Sequence, residues 1–166
     1  MTLMEILVTS LIAAAVLAVV ITLTLFASRS VLAMTNYTDL DQDSRNTLDL
    51  LTRDIRQAGS LGSYAPNRIE LRNPNGSFLA AYTYNQTEGT LSRSNSSGSK
   101  VLLQGCDKLT FNISTKAPSP GFVFNSASNN VGLAKLIDVS WKCSRQINAQ
   151  KVNTESIQTA KIVMRN

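Results

Sequence analysis

The sequence predicts an α+β protein in which one long N-terminal helix rests its C-terminal half on an antiparallel β-sheet. Three observations predict it: an uncharged apolar run over residues 6–28, an amphipathic period of 3.6 from there to residue 58, and a change to a period of two beyond residue 67. The totals, 43% hydrophobic and 16% charged over 166 residues, are those of an ordinary globular domain. The information therefore lies in the order of the residues.

The first element is the apolar run. Its 23 uncharged positions, at about 1.5 Å each, are enough to cross a bilayer core of about 30 Å. The run is either a membrane span or the core of a fibre. The period then turns amphipathic, with Leu40, Leu48, Leu51, Ile55 and Ala58 on one face. Asp41 with Arg45 and Asp49 with Arg53 form i,i+4 pairs with the acid placed first, the better order for helix support. No proline or glycine occurs before Gly59, so residues 1–58 are expected to form one helix of about 87 Å, with Gly59 as its C-cap. This divides the chain into a hydrophobic segment 1–28, an amphipathic continuation 29–58 and a β domain 59–166.

After the cap, residues 60–67, with Gly62 and Pro66, read as a loop. Leu109, Phe111 and Ile113 alternate with polar residues, as do Ile137, Val139, Trp141 and Cys143, the pattern of half-buried strands. Shorter candidates cover residues 68–72, 78–84, 90–94, 100–103 and 159–165. Together they are expected to form an antiparallel sheet with one face on the helix and Trp141 in the core. Residues 92–99, 116–130 and 144–154 read as exposed loops, with Phe122 and Phe124 either a short strand or a contact patch on a neighbouring subunit.

The net charge of +5 is uneven: residues 1–99 carry 7 basic and 8 acidic side chains, residues 100–166 carry 9 and 3. Such an excess is a solvated face or an attraction for anionic partners. There is no histidine, which removes the usual parts of zinc sites and of Ser/His or Cys/His catalysis. The two cysteines, Cys106 and Cys143, are either one disulfide or two buried thiols, and an extracytoplasmic domain favours the disulfide.

Glu5 stands alone at the head of the apolar run. A carboxylate near the middle of a bilayer costs about 2.5 to 3.5 kcal/mol, so it requires a partner. No Lys or Arg precedes the run, where a signal anchor carries its orienting charge. The expectation is that a basic leader preceded Met1 and was removed. The stretch MTLMEILV, residues 1–8, resembles the N-terminus of mature type IV pilins and type II secretion pseudopilins. The segments RNTLDLLTRDIRQAG, residues 45–59, and QTAKIVMRN, residues 158–166, resemble minor pilins and pseudopilins of the PilW and GspJ type.

The resemblance implies a type IV pilin fold and a structural subunit of an extracellular filament that polymerises through its N-terminal helix. It implies no enzymatic activity and no cofactor. Met1 would be the site of processing and N-methylation, and the Met1 amine of one subunit beside Glu5 of its neighbour would set axial register. The implied partners are copies of the chain in a helical homopolymer, other pilins, a prepilin peptidase, and an inner-membrane assembly platform with its ATPase. The chain would sit in the bacterial inner membrane before assembly and on the cell surface after it.

The alternative is a minor pilin or pseudopilin acting as filament tip, adhesin or DNA-capture module. Lys108, Lys142, Lys161 and Arg165 would then form a surface basic patch with weak, salt-sensitive binding to nucleic acid or an anionic surface. Position 22 is Thr, where the resemblance implies that a proline in other pilins accompanies a locally melted segment. A hydroxyl bonded to the preceding turn at most bends a helix, so a continuous one is expected here.

Overall fold

The computed structural model describes residues 2–116, 124–126, 131–145 and 155–164. Its element order is α1 (Leu3–Gln57), β1 (Ser60–Ala65), β2 (Arg68–Arg72), β3 (Phe78–Asn85), β4 (Thr90–Asn95), β5 (Gly98–Leu103), β6 (Cys106–Lys116), β7 (Phe124–Ser126), a 3-10 turn (Val131–Leu133), β8 (Ala134–Ser144) and β9 (Glu155–Val163).

Helix α1 is unbroken over 55 residues, about 82 Å. Thr22 Oγ1 donates to the Ala18 and Val19 carbonyls at 3.1 and 2.8 Å, and Thr24 Oγ1 to Val20 at 2.8 Å, with no interruption of the helix. Gly59 does not cap it in the expected way. The chain leaves through an extended Ala58 (φ −68°, ψ 135°) whose N–H still reaches the Asp54 carbonyl at 3.0 Å. The reason for glycine at 59 is close approach: a Cβ there would lie 2.6 Å from Pro74 Cα, while the Gly59 N–H joins the Arg72 carbonyl at 2.8 Å.

The single expected sheet is two. Strands β1 to β5 form an antiparallel meander in sequence order, and a second antiparallel sheet runs β7-β6-β8-β9. The chain passes from one to the other at Gly105, whose φ of +70° only glycine adopts without strain. Backbone and tyrosine bonds stitch the sheets together: Phe111 N–H to the Pro66 carbonyl at 2.8 Å, Cys106 N–H to Gly89 at 2.8 Å, Tyr64 OH to Phe111 at 2.9 Å and Tyr84 OH to Cys106 at 2.9 Å.

Two expected loops are strands. Residues 60–65 pair with β2 through a bulge at Gly62 and a two-residue turn, Pro66-Asn67. Residues 92–99 are mostly the β4–β5 hairpin, with Asn95 facing Gly98 across the turn. Within the expected loop 116–130, Phe124–Ser126 pairs with Ser114–Lys116 as β7. Phe122 and most of the 144–154 segment lie outside the described residues.

The core fills the space between α1 and the sheets. Leu40, Leu51, Ile55 and Ala58 are buried and Leu48 partly so, against Tyr82, Phe111, Val139 and a 1%-exposed Trp141. The helix face also buries Ser44, Thr47 and Asp54. Asp41 pairs with Arg45 at 2.8 Å, whereas the expected Asp49 to Arg53 pair is not made. Both side chains extend into water, where such a pair contributes little.

Candidate assembly surface

Below Leu40, helix α1 leaves the β domain. Residues 2–32 are exposed throughout, and from there to residue 39 only Ala33 and Asn36 are half-buried. Among the described residues it is the one helix long and apolar enough to cross a membrane, with mean hydropathy 2.8 over its best 18 residues and none of that window buried. Every hydroxyl within the uncharged run 6–28 is satisfied by its own helix: Thr9, Ser10, Thr22, Thr24 and Ser28 each donate to a carbonyl three or four residues back, at 2.8 to 3.1 Å, and Thr35 and Thr38 do the same beyond it. That run can therefore enter hydrocarbon without an orphaned hydroxyl, leaving Glu5 at its head as the charge to be met.

Glu5 is positioned by the start of the helix. Its carboxylate accepts the Thr2 N–H at 2.8 Å, the side-chain arm of a capping box, and its negative charge sits at the positive end of the helix dipole. Within one chain the carboxylate is thus held by its own backbone. Met1, the expected site of processing and methylation and the expected partner of Glu5 in setting register, lies outside the described residues.

The cysteines meet as the first residue of β6 and the penultimate residue of β8, directly opposite in register, with Cα atoms 3.7 Å apart, and form a disulfide. Cys106 belongs to the strand itself and not to a preceding loop. Both are buried, at 3% and 0% exposure.

The candidate basic residues share the outer face of the second sheet. Lys108 faces Lys142 across the β6–β8 ladder, and Lys161 faces Asp138 across β8–β9. Lys142 is partly neutralised: its ammonium meets Glu155 at 2.8 Å, and that hydrogen bond holds its pKa above the usual lysine value against the opposing effect of desolvation. Ile157 and Val163 lie on the same face, 65% and 51% exposed. The face is thus mixed in charge and interleaved with apolar groups. Arg165 lies outside the described residues.

Sequence reasoning missed the group that joins the helix to the first sheet. Asp54, 2% exposed on α1, accepts the Arg93 Nε at 2.7 Å and the Tyr82 hydroxyl at 2.8 Å. Burial, then the hydrogen bond to Asp54, pushes the Tyr82 phenol far above its ordinary range. Burial works to lower the Arg93 pKa, but the bond and charge of Asp54 outweigh it and the net direction is upward. The available signal was an acid one position from Ile55 inside the apolar arc. Nothing marked Arg93 as its partner.

Comparison with protein-family models, curated proteins and solved structures finds no match for this chain.

Proposed function

We propose that the chain is a structural subunit of a type IV pilus-like filament, held in the membrane by the lower half of α1 before assembly and polymerised through that same surface afterwards. The observation that carries the reading is the pairing of a fully exposed, hydroxyl-satisfied apolar helix with a single carboxylate at its N-terminal end. A bilayer can cover the apolar side chains but gives Glu5 no counter-charge. A second copy in parallel stagger supplies both, through its own apolar helix and its Met1 amine, and a buried charge is tolerable when so paired. The partners on this reading are other copies, other pilins, a prepilin peptidase and an inner-membrane platform with its ATPase, and the destination is the cell surface.

A second reading is favoured by the exposed Lys108 and Lys161 beside apolar Ile157 and Val163: a tip subunit that captures DNA or an anionic surface.

The test compares sheared surface fibres with membrane-held subunit for wild type, Glu5→Gln and Glu5→Val. Glu5→Gln keeps an acceptor for the Thr2 N–H and removes only the charge, leaving the neighbour's amine unpaired at a cost of about 3 to 5 kcal/mol per subunit. Both variants should lose at least tenfold in fibre yield with the membrane-held level unchanged. Wild-type fibre yield in both would remove Glu5 from the mechanism, and fibre-free cells whose DNA retention falls with salt would favour the second reading.

A further inference from the structure

Among the described residues two flanks of α1 carry incompletely paired charge of opposite sign. On one, Asp39 and Asp43 share the Arg145 guanidinium at long range, 3.5 and 3.7 Å, and stay 52% and 50% exposed. On the other, Arg56 lines a groove with Lys161, Ile162 and Val163 of β9. Among the described residues the side chains of Arg56 and Lys161 make no ion pair or hydrogen bond, and both are exposed. At 3.6 residues per turn Arg56 lies about 100 to 140° round the helix from the two aspartates and about 20 to 25 Å further along it. The acidic flank is low on one side of the rod and the basic groove is high on the other.

We propose that a second copy of this chain docks alongside, parallel and shifted by about 20 to 25 Å, so that its Asp39 and Asp43 enter the groove of Arg56 and Lys161. The proposal rests on the filament reading and specifies one of its contacts. Each subunit offers one patch and receives at the other, so the contact is heterologous and repeats without closing, as a fibre requires. A parallel pair without the shift would not bring the two patches together. The Glu5 to Met1 contact spans four residues, a stagger of about 6 Å, so the two contacts engage different neighbours. The exposed apolar edge of Val163 in the groove gives the docking carboxylates a partly dry surround, where paired charge is screened less.

Charge reversal tests the pairing in cells that assemble the wild-type chain. One variant carries Asp39→Lys with Asp43→Lys, so both its flanks are basic. The other carries Arg56→Glu with Lys161→Glu, so both are acidic. Each alone should give at least tenfold less sheared fibre, and co-expression should restore mixed fibres in which the two alternate. As a measurement independent of variant folding, a zero-length carbodiimide reagent on wild-type fibres should join the Lys161 amine to Asp39 or Asp43 of another copy, identified by mass spectrometry of isotopically mixed fibres. The pairing is overturned if both variants assemble alone while Glu5→Gln does not, a result that leaves the filament reading standing. It is equally overturned if co-expression restores nothing and the cross-link is absent. An Arg56→Glu, Lys161→Glu chain that assembles normally but loses salt-sensitive DNA retention would assign the basic groove to nucleic acid instead. Absence of wild-type fibres would remove the filament reading itself.

Discussion

The two halves of α1 have the same backbone and opposite relations to the rest of the molecule. Above Leu40 the helix buries Leu51, Ile55, Ser44, Thr47 and Asp54 against the sheets. Below it, large side chains such as Leu7, Leu17 and Phe26 are 56%, 62% and 74% exposed. The hydroxyls make the difference plain. In the apolar run of the lower half they bond back to their own helix, whereas Ser44 accepts the Trp141 Nε1–H at 3.3 Å and Thr47 donates to the Leu102 carbonyl at 3.5 Å, both in the β domain. A hydroxyl turned inward on its own turn readies a helix for lipid or another helix. One turned outward anchors it to a domain.

The sharpest way to break this comparison is one truncation made in each half. Leu51 is fully enclosed, so Leu51→Ala should leave a cavity and destabilise the β domain by about 4 kcal/mol. The same change at Leu17, which touches nothing in the domain, should move its unfolding midpoint by a small fraction of that. Denaturant unfolding of the full chain in detergent, followed by Trp141 fluorescence, reads both. Equal shifts would mean that the lower half supports the domain after all.

The next largest effect concerns Asp54, which ties the upper half to the first sheet. Asp54→Ala strands the Arg93 guanidinium and the Tyr82 hydroxyl together. Arg93 keeps 17% side-chain exposure and so retains an outlet to water, which places the expected loss near the lower end of the buried-pair range, about 3 kcal/mol. Asp54→Asn, which preserves an acceptor, should lose less. An Asp54→Ala chain with wild-type unfolding would show that apolar packing alone seats the helix.

How far the sequence reveals this molecule depends on which residues carry the signal. The helix and its apolar arc are legible because breakers are absent up to Gly59 and Leu40, Leu51, Ile55 and Ala58 recur at helical spacing. The β6 and β8 strands are legible from strict alternation. Alternation reports which face a side chain takes but not which strands pair, so the division into two sheets at Gly105 was hidden. Gly62, Pro66 and the serines of residues 92–99 read as loop because their composition suits turns, yet backbone pairing needs no apolar side chain to form a bulge or an edge hairpin. In the candidate site, Glu5 was evident as the one charge ahead of an uncharged run. The neutralising role of Glu155 at Lys142, the Arg93 partner of Asp54 and the sharing of Arg145 by Asp39 and Asp43 all depend on residues brought together from distant parts of the chain.

The smallest expected effect is a pH slope confined to the upper half. In the folded chain Tyr82 is buried and donates its proton to Asp54, both of which favour the neutral phenol and hold its pKa far above the unfolded value of about 10. Below pH about 10 both states keep the proton and stability is indifferent to pH through this group. Above it the unfolded chain releases the proton while the folded chain retains it, so the unfolded state binds fewer protons and stability falls as pH rises. The slope approaches about 1.4 kcal/mol per pH unit once the unfolded tyrosine is fully ionised. Tyr64 and Tyr84 shift in the same direction, by burial and, for Tyr84, the charge of Asp107 as well, so the wild-type curve alone does not isolate Tyr82. The Tyr82→Phe chain does, because subtracting its unfolding free energies between pH 9 and 11 from those of wild type leaves the contribution of this one proton. A difference that stays flat across that interval would mean that Tyr82 reaches solvent or releases its hydrogen bond to Asp54, and the polar tie between the upper helix and the first sheet would then be looser than the 2.8 Å contact implies.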